Sequence, residues 1–349
     1  MVKVSVNASR KYDIIIGEGL LDEAGKLCKE AIGECRVCVI TDDTVNALYY
    51  DRLAASLESA GYSPLRFVFT HGEGSKHIGT ITDILESCAE NRLTRSDCLI
   101  ALGGGVVGDM TGFAAAIYLR GIRFVQIPTT VLAAVDSSVG GKTGVDLRAG
   151  KNLCGAFHQP SLVICDCRTT DTLPPEIFAD GCAEVIKYGV INDRAFFDSL
   201  KSGIRPQLEL VIAECVRNKA RIVAEDEFDK GARQLLNLGH TVGHAIELCS
   251  ELTISHGSAV AIGMVIVTRA SVNMGLCPES DLCELISLLK ANSLPTQCPY
   301  GASELAAVAS ADKKRSGASI SAVLPYSIGD SRLYKIPVTE LQELIAKGL

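Results

Sequence analysis

Three of the chain's six histidines fall within seventeen residues, in Gly239-His240-Thr241-Val242-Gly243-His244 and His256-Gly257, with apolar, helix-forming sequence between them. Neutral imidazoles grouped this tightly read as a metal site. His240 and His244 are four apart, and the Leu, Ala, Ile and Glu content of residues 233–252 predicts a helix, so both rings project from one face. Imidazole with a carboxylate is the ligand set of catalytic zinc, which keeps a position open for water or a substrate oxygen. Glu184, in Ala183-Glu184-Val185-Ile186-Lys187-Tyr188-Gly189, is the candidate carboxylate, because an acid and a lysine inside an otherwise apolar helix need a reason to be there. The plainer alternative makes all of these ordinary polar residues on a helix surface.

A second constellation is rich in glycine. Cys98-Leu99-Ile100-Ala101-Leu102 runs into Gly103-Gly104-Gly105-Val106-Val107-Gly108-Asp109 and then into helical sequence over 110–119. Gly103, Gly105 and Gly108 satisfy G-x-G-x-x-G between a strand and a helix, where backbone N–H groups and the helix N-terminus hold a pyrophosphate. The ordinary dinucleotide fingerprint also wants an acid about twenty residues on. Here the next strand ends in Pro128-Thr129-Thr130, without one. An earlier strand end does offer Asp42, and Glu73 with Lys76 follows another. A bound dinucleotide would therefore set its ribose against a strand that precedes the glycine turn, a variant of the doubly wound scheme; the alternative is a tight turn that only packs helix on sheet. Asp136-Ser137-Ser138-Val139-Gly140-Gly141-Lys142-Thr143-Gly144 imitates the end of a P-loop, but its leading glycine would fall on Asp136. ATP hydrolysis is rejected, and Lys142 is kept as an anion contact on a flexible turn.

The elements that must position these residues follow from periodicity. Short β-rich runs at 12–16, 36–41, 65–70, 98–102, 124–127 and 162–165 alternate with helical patterns such as 45–60 and 78–91. That is an α/β layout with a largely parallel sheet. After Thr172-Leu173-Pro174-Pro175 the texture becomes long helices, with a late hairpin at 319–324 and 331–336. The Pro-Pro places a domain boundary there, giving an α/β domain over 1–175 and a mainly helical one over 176–349.

Composition excludes several classes. At 349 residues, 47% hydrophobic and 21% charged, the chain is a globular protein of two-domain size, and no apolar run is long enough to span a bilayer. Its start alternates like a strand and lacks a signal peptide's apolar core, so a cytoplasmic protein is expected. The fourteen cysteines are scattered singly, as small core residues; Cys35-Arg36-Val37-Cys38 has no second pair to complete a zinc site and enters a strand. A net charge of −7 argues against nucleic acid as a partner, so any anionic substrate must meet a local basic cluster.

Taken together these strings resemble the 3-dehydroquinate synthase family. The matching text is 103–109, Tyr118-Leu119-Arg120-Gly121-Ile122-Arg123-Phe124-Val125-Gln126, Pro128-Thr129-Thr130, 135–144, Gly150-Lys151-Asn152-Leu153, Gly155-Ala156-Phe157-His158-Gln159-Pro160, 183–189, 235–247, His256-Gly257 and Asp312-Lys313-Lys314, in order over nearly the whole chain. The resemblance implies a Rossmann-like domain with a mostly parallel sheet, followed by a mainly helical one. It implies a divalent metal, zinc with cobalt as the alternative, held by Glu184, His240 and His256, with His244 facing substrate; this differs from the pairing of His240 with His244 above. It implies NAD at Asp42, Glu73, Lys76, Gly104, Gly105, Asp109, Thr129, Thr130 and Thr172, with Lys142 and Lys151. The implied sugar phosphate pocket comprises Asp136, Lys142, Lys151, Asn152, Lys187, Lys219, Arg233, Asn237, His244 and either Lys313 or Lys314. A homodimer is implied, in which Arg120 reaches the neighbouring site.

The reaction implied converts 3-deoxy-D-arabino-heptulosonate 7-phosphate into 3-dehydroquinate and phosphate, with neither nucleic acid nor a membrane as partner. Two departures stand out: Ser258 follows His256-Gly257 where the family usually has an acid, and Ala134 replaces a common glutamine. The rival readings are another sugar phosphate cyclase and a metal- and NAD-dependent polyol dehydrogenase of the same architecture.

Overall fold

Strands buried on both faces need no polar alternation, and five runs of this chain have that character. The computed structural model describes residues 1–313 and 319–349. In chain order the first stretch contains β1 (Val2–Val6), β2 (Tyr12–Gly17), α1 (Leu20–Ile32), β3 (Val37–Asp42), α2 (Asp43–Ser59), β4 (Leu65–Phe69), α3 (Ile78–Glu90), β5 (Cys98–Gly103), α4 (Gly105–Ile117) and β6 (Arg123–Pro128). A hairpin of β7 (Lys142–Leu147) and β8 (Gly150–Phe157) follows, then β9 (Leu162–Asp166). Seven of these strands form one sheet in the order β1-β2-β9-β6-β5-β3-β4. All neighbours run parallel except β1, which pairs antiparallel with β2. Every residue of β5 and of β9 is buried, between apolar clusters on the two faces of the sheet.

Beyond residue 173 the described chain is mostly helical: α5 (Pro175–Asn192), α6 (Arg194–Leu200), α7 (Leu208–Glu225), α8 (His240–Cys249), α9 (His256–Asn273), α10 (Glu279–Ala291) and α11 (Ala302–Lys313) precede an antiparallel hairpin of β10 (Ser319–Ser327) and β11 (Asp330–Pro337), and α12 (Leu341–Gly348) ends it. The chain divides into two compact units, Met1–Leu173 with Leu208–Phe228, and Pro174–Gln207 with Asp229–Leu349. A single boundary at 175 would have put α7 with the later helices. Instead its Lys219 ammonium meets the Asp136 carboxylate at 2.6 Å, and the Met1 amino group meets Glu209 at 2.8 Å, so α7 belongs with the sheet.

Three local expectations are corrected. Residues 233–252 are not one helix: a single 3-10 stretch, Ala232–Asn237, ends before α8, and Gly239 between them has φ 78°. A Cβ there would come within 2.8 Å of the Val260 carbonyl oxygen, so only glycine allows α9 to pass this close. Lys142 does not sit on a flexible turn but opens β7, whose pairing with β8 sets Gly144 opposite Gly155. Glycines facing each other give no hydrophobic alternation, which hid this hairpin from the sequence. Finally, the helix expected over 110–119 starts at Gly105, taking the last glycines of the turn into its first turn.

Nine of the fourteen thiols are buried, and burial pushes Cys38 of the Cys35-Arg36-Val37-Cys38 segment up to about 12, while Cys35 is half-buried and Cys283 exposed. Among the described residues no helix is long and apolar enough to cross a membrane.

Candidate active site

Glu184 lies in α5 with no exposed surface. A carboxylate there is tolerable only if cations or hydrogen-bond donors surround it. Lys187, one turn on and equally buried, pairs with it directly. Two imidazoles complete the ring: His240 Nε2 is 3.3 Å and His256 Nε2 3.4 Å from the same Glu184 Oε1. Burial alone would raise the Glu184 carboxyl, but Lys187 and the imidazoles beside it hold it well below its ordinary value.

Each ring is oriented from behind. His240 Nδ1 lies 3.1 Å from the Leu238 carbonyl oxygen, which only accepts, so Nδ1 carries the proton and Nε2 offers a lone pair. His256 Nδ1 lies 3.3 Å from Glu247 Oε2 in the same way. Carboxylate and carbonyl partners behind imidazoles are the arrangement that aims metal-binding histidines. Burial lowers the His256 pKa, but its contacts with Glu184 and Glu247 outweigh that and push it up to about 10.

The donor set fits a metal ion. Ligand atoms of Glu184, His240 and His256 all lie within 4.8 Å of one another. Two ligands about 2.0–2.1 Å from a tetrahedral centre are roughly 3.3–3.4 Å apart, which is the spacing of both imidazoles from Glu184. His244 is not part of this trio. It projects from α8 with its ring 5.4 Å from that of His240 and 6.0 Å from that of His256, and it is exposed. Spacing on one helix found a face that His240 and His244 share; the donor that joins Glu184 and His240 comes from α9, and His244 groups instead with Glu247 and His256 as a second set of potential ligands.

In the sheet unit, the carboxyl ends of β3 and β5 lie side by side, with Thr41 opposite Leu102. From β3 the chain moves outward to β4, and from β5 it moves the other way to β6, so these two strands flank the switch point where doubly wound sheets bind ligands. Asp42 ends β3 and Gly103 ends β5. This explains how an acid earlier in the sequence stands beside the glycine turn. Gly104 caps α4, and a Cβ on it would sit 3.2 Å from the Thr130 side chain; the Thr129 N–H donates to the Gly103 carbonyl at 3.0 Å. The turn is thereby held against the end of β6, with its first helical amides at the positive end of the dipole.

The remaining expected residues fall into small groups. Lys76 is buried and donates to Asp109 Oδ2 and to Asn152 Oδ1, each at 2.7 Å. Burial would lower its pKa, but Asp109 and Glu73 raise it, so it stays an ammonium. Lys151 Nζ is 4.0 Å from Glu73. Asp136 and Lys219 form the pair that ties α7 down. Thr172 Oγ1 lies 2.5 Å from the hydroxyl of Tyr49 on α2. In the helical unit Arg233 is buried and Asn237 half-buried, both in the 3-10 stretch before His240. Arg120 is exposed, at φ 69°. Lys314 and the side chain of Lys313 lie outside the described residues.

Comparison with known proteins places this geometry. Residues 66–180 match the 3-dehydroquinate synthase N-terminal profile and residues 181–315 the 3-dehydroquinate synthase C-terminal profile. The chain belongs to the 3-dehydroquinate synthase family. It is 45% identical over 344 residues to the 3-dehydroquinate synthase of Caulobacter vibrioides (93% of this chain, 92% of the relative). It is 47% identical over 345 residues to that of Rhodospirillum rubrum (93% and 89%), and 40% identical over 353 residues to that of Streptococcus suis (99% of both). Among solved structures it resembles 2-deoxy-scyllo-inosose synthase complexed with carbaglucose-6-phosphate, NAD+ and Co2+, at TM-score 0.88 and 28% identity with both chains covered in full. It also resembles ValA, a 2-epi-5-epi-valiolone synthase from Streptomyces hygroscopicus with NAD+ and Zn2+ bound, at TM-score 0.88 and 27% identity over 99% and 98% of the two chains. An iron-containing alcohol dehydrogenase from Thermotoga maritima, at TM-score 0.66 and 15% identity over 99% of each chain, shares the fold alone. For a 3-dehydroquinate synthase family member, one residue against the candidate ligands escaped the sequence reading. Glu247 is seven residues from His240, two helical turns on the same face, a spacing that would have found it.

Proposed function

We propose that the chain converts 3-deoxy-D-arabino-heptulosonate 7-phosphate to 3-dehydroquinate and phosphate, the ring closure of the shikimate pathway, as a phosphate-eliminating lyase. The observation that carries this is the convergence of His240 and His256 on buried Glu184 in a chain of this family. The rival cyclases among the solved structures share 26–28% of its residues, against 40–47% for the synthases of this reaction.

In this reading residues 1–175 carry NAD and residues 176–349 the metal. When bound, NAD would accept and return the hydride of the C5 hydroxyl, and a divalent metal, zinc or cobalt, would polarise adjacent substrate oxygens as a Lewis acid. Glu184, His240 and His256 would hold the metal, with Leu238 and Glu247 fixing the tautomer of each imidazole. The glycine turn at Gly104 and Gly105 would take the pyrophosphate on its amides, with Asp42 accepting from a ribose hydroxyl and Asp109, Thr129, Thr130, Glu73 and Thr172 around it. Arg233 offers a planar fork to the substrate carboxylate, whereas Lys142 and Lys151 suit phosphate as point charges, with Asn152 donating beside them. Lys187 and Lys219 pair with Glu184 and Asp136. His244, exposed and next to the trio, is the group for moving a proton at the substrate, and Asn237 orients a hydroxyl. A homodimer with Arg120 extended toward its neighbour completes the proposal.

Purified protein supplied with NAD, Zn2+ and the heptulosonate phosphate tests it. Stoichiometric release of phosphate and 3-dehydroquinate is expected; a different carbocycle from a different sugar phosphate, with no turnover of this one, would refute it.

A further inference from the structure

Asp180 and Glu184 are four apart on α5 and leave the same face one turn from each other. Asp180 Oδ1 accepts from the Ser255 hydroxyl at 2.5 Å and from the Ser258 N–H at 3.0 Å. Ser255 is the N-cap of the 18-residue α9, yet its own side chain makes no capping bond. His256 is the first residue of that helix. In a capping box the N-cap serine is answered three residues later by Glu or Gln, whose side chain returns to the cap. Here that third position is Ser258, too short and uncharged to return. The carboxylate arrives from α5 instead. Contact at this point leaves no slack, since a Cβ on Gly257 would fall 2.0 Å from the Asp180 carbonyl oxygen.

We infer that Asp180 is a positioning residue for His256: its carboxylate fastens the start of α9 to α5 and so sets the His256 ring against Glu184. The two groups that aim this ring do different work. Glu247 holds Nδ1 and fixes the rotation of the imidazole. Asp180 holds the backbone that carries it, one helical turn from the carboxylate that Nε2 faces at 3.4 Å. An acid at a helix N-terminus is favoured by the dipole wherever it comes from. Coming from α5, it also couples the relative placement of two metal-binding side chains to one salt-free hydrogen-bonded joint. Removing it lets the first turn of α9 fray and lets His256 drift from Glu184.

The inference rests on the metal reading of Glu184, His240 and His256. Metal-free protein is titrated with Co2+, whose visible absorption reports coordination geometry, and the thermal midpoint of the metal-free protein is recorded alongside. Asp180→Ala is expected to weaken Co2+ binding about tenfold, in the range lost when outer partners of metal ligands are removed, and to alter the absorption spectrum. Adding Ser258→Glu to Asp180→Ala restores an acid at the third position of α9 and is expected to recover most of both. A role confined to holding the fold would lower the midpoint and leave Co2+ affinity and spectrum as in the wild type, and that result overturns the inference. If Asp180→Ala does not fold, Asp180→Asn, which keeps the volume and loses the charge, is titrated instead; a severalfold loss supports the inference and unchanged affinity overturns it. Wild-type protein that binds no Co2+ would remove the metal reading and the inference together, a result distinct from normal wild-type binding with an unaffected variant.

Discussion

A carboxylate without exposed surface keeps its charge only in company, and at Glu184 that company is Lys187, His240 and His256. His256→Ala removes one of three donors, so metal retained after dialysis should fall to near zero while the circular dichroism spectrum stays native. Full metal retention would pass the ligand role to His244. Arg233 is buried in the 3-10 stretch ahead of α8, where an ammonium cannot rebuild a planar two-point contact. Arg233→Lys should therefore cost about 2 kcal/mol of transition-state binding, roughly thirtyfold in kcat/KM, with little change in thermal midpoint. An unchanged kcat/KM would take Arg233 out of the carboxylate contact. How far single residues were legible follows from geometry. Glu184 stood out because a charge in an apolar helix is costly, and His240 because it repeats with His244 at helical spacing. Clustering in the sequence grouped His256 with them, but its role as third ligand in place of His244 came only from family resemblance, because periodicity reports one face of one helix and says nothing of the helix packed against it.

At the scale of elements, the close passage of α9 over α5 is enforced at Gly257. Gly257→Ala must push the helices apart or bend one of them, a loss of about 1–3 kcal/mol that should appear as a lower thermal midpoint and weaker metal binding together. Gly301→Ala, at a position with open space around it, should leave the midpoint in place and serves as the control. A second element-scale consequence concerns His158, which follows β8, stacks on Phe124 and donates from Nε2 to the Ile122 carbonyl. Burial lowers its pKa below 6.5. The unfolded chain therefore takes up this proton first as the pH falls, so the stability it contributes is present above about 6.5 and declines below it. Between about pH 7 and pH 5 the midpoint of the wild type should fall more than that of His158→Gln, and parallel profiles would contradict this. The parallel strands were legible because their buried runs of Val, Ile and Leu differ from everything around them. The β7–β8 hairpin was not, since its paired glycines carry no pattern, and the helix over 233–252 was overdrawn because apolar periodicity passes through Gly239 without registering its left-handed φ.

Across the whole molecule, the sequence order of motifs gave the order of chemistry but not the assignment of chain to unit: α7 returns to the sheet through contacts that no local pattern announces. Likewise the unusual position of the acid relative to the glycine turn makes sense only once β3 is seen beside β5, on the side away from β6. Under the proposed function NAD would serve as a catalyst, accepting a hydride from the substrate and returning it before product leaves, rather than as a consumed reagent. A dehydrogenase on the same fold would release one NADH for each product. The direct measurement follows phosphate release and NADH absorbance together, with NAD well below the heptulosonate phosphate. Phosphate rising many-fold past the NAD supplied, with no matching growth of NADH, is the predicted result; NADH accumulating in step with product would contradict the account.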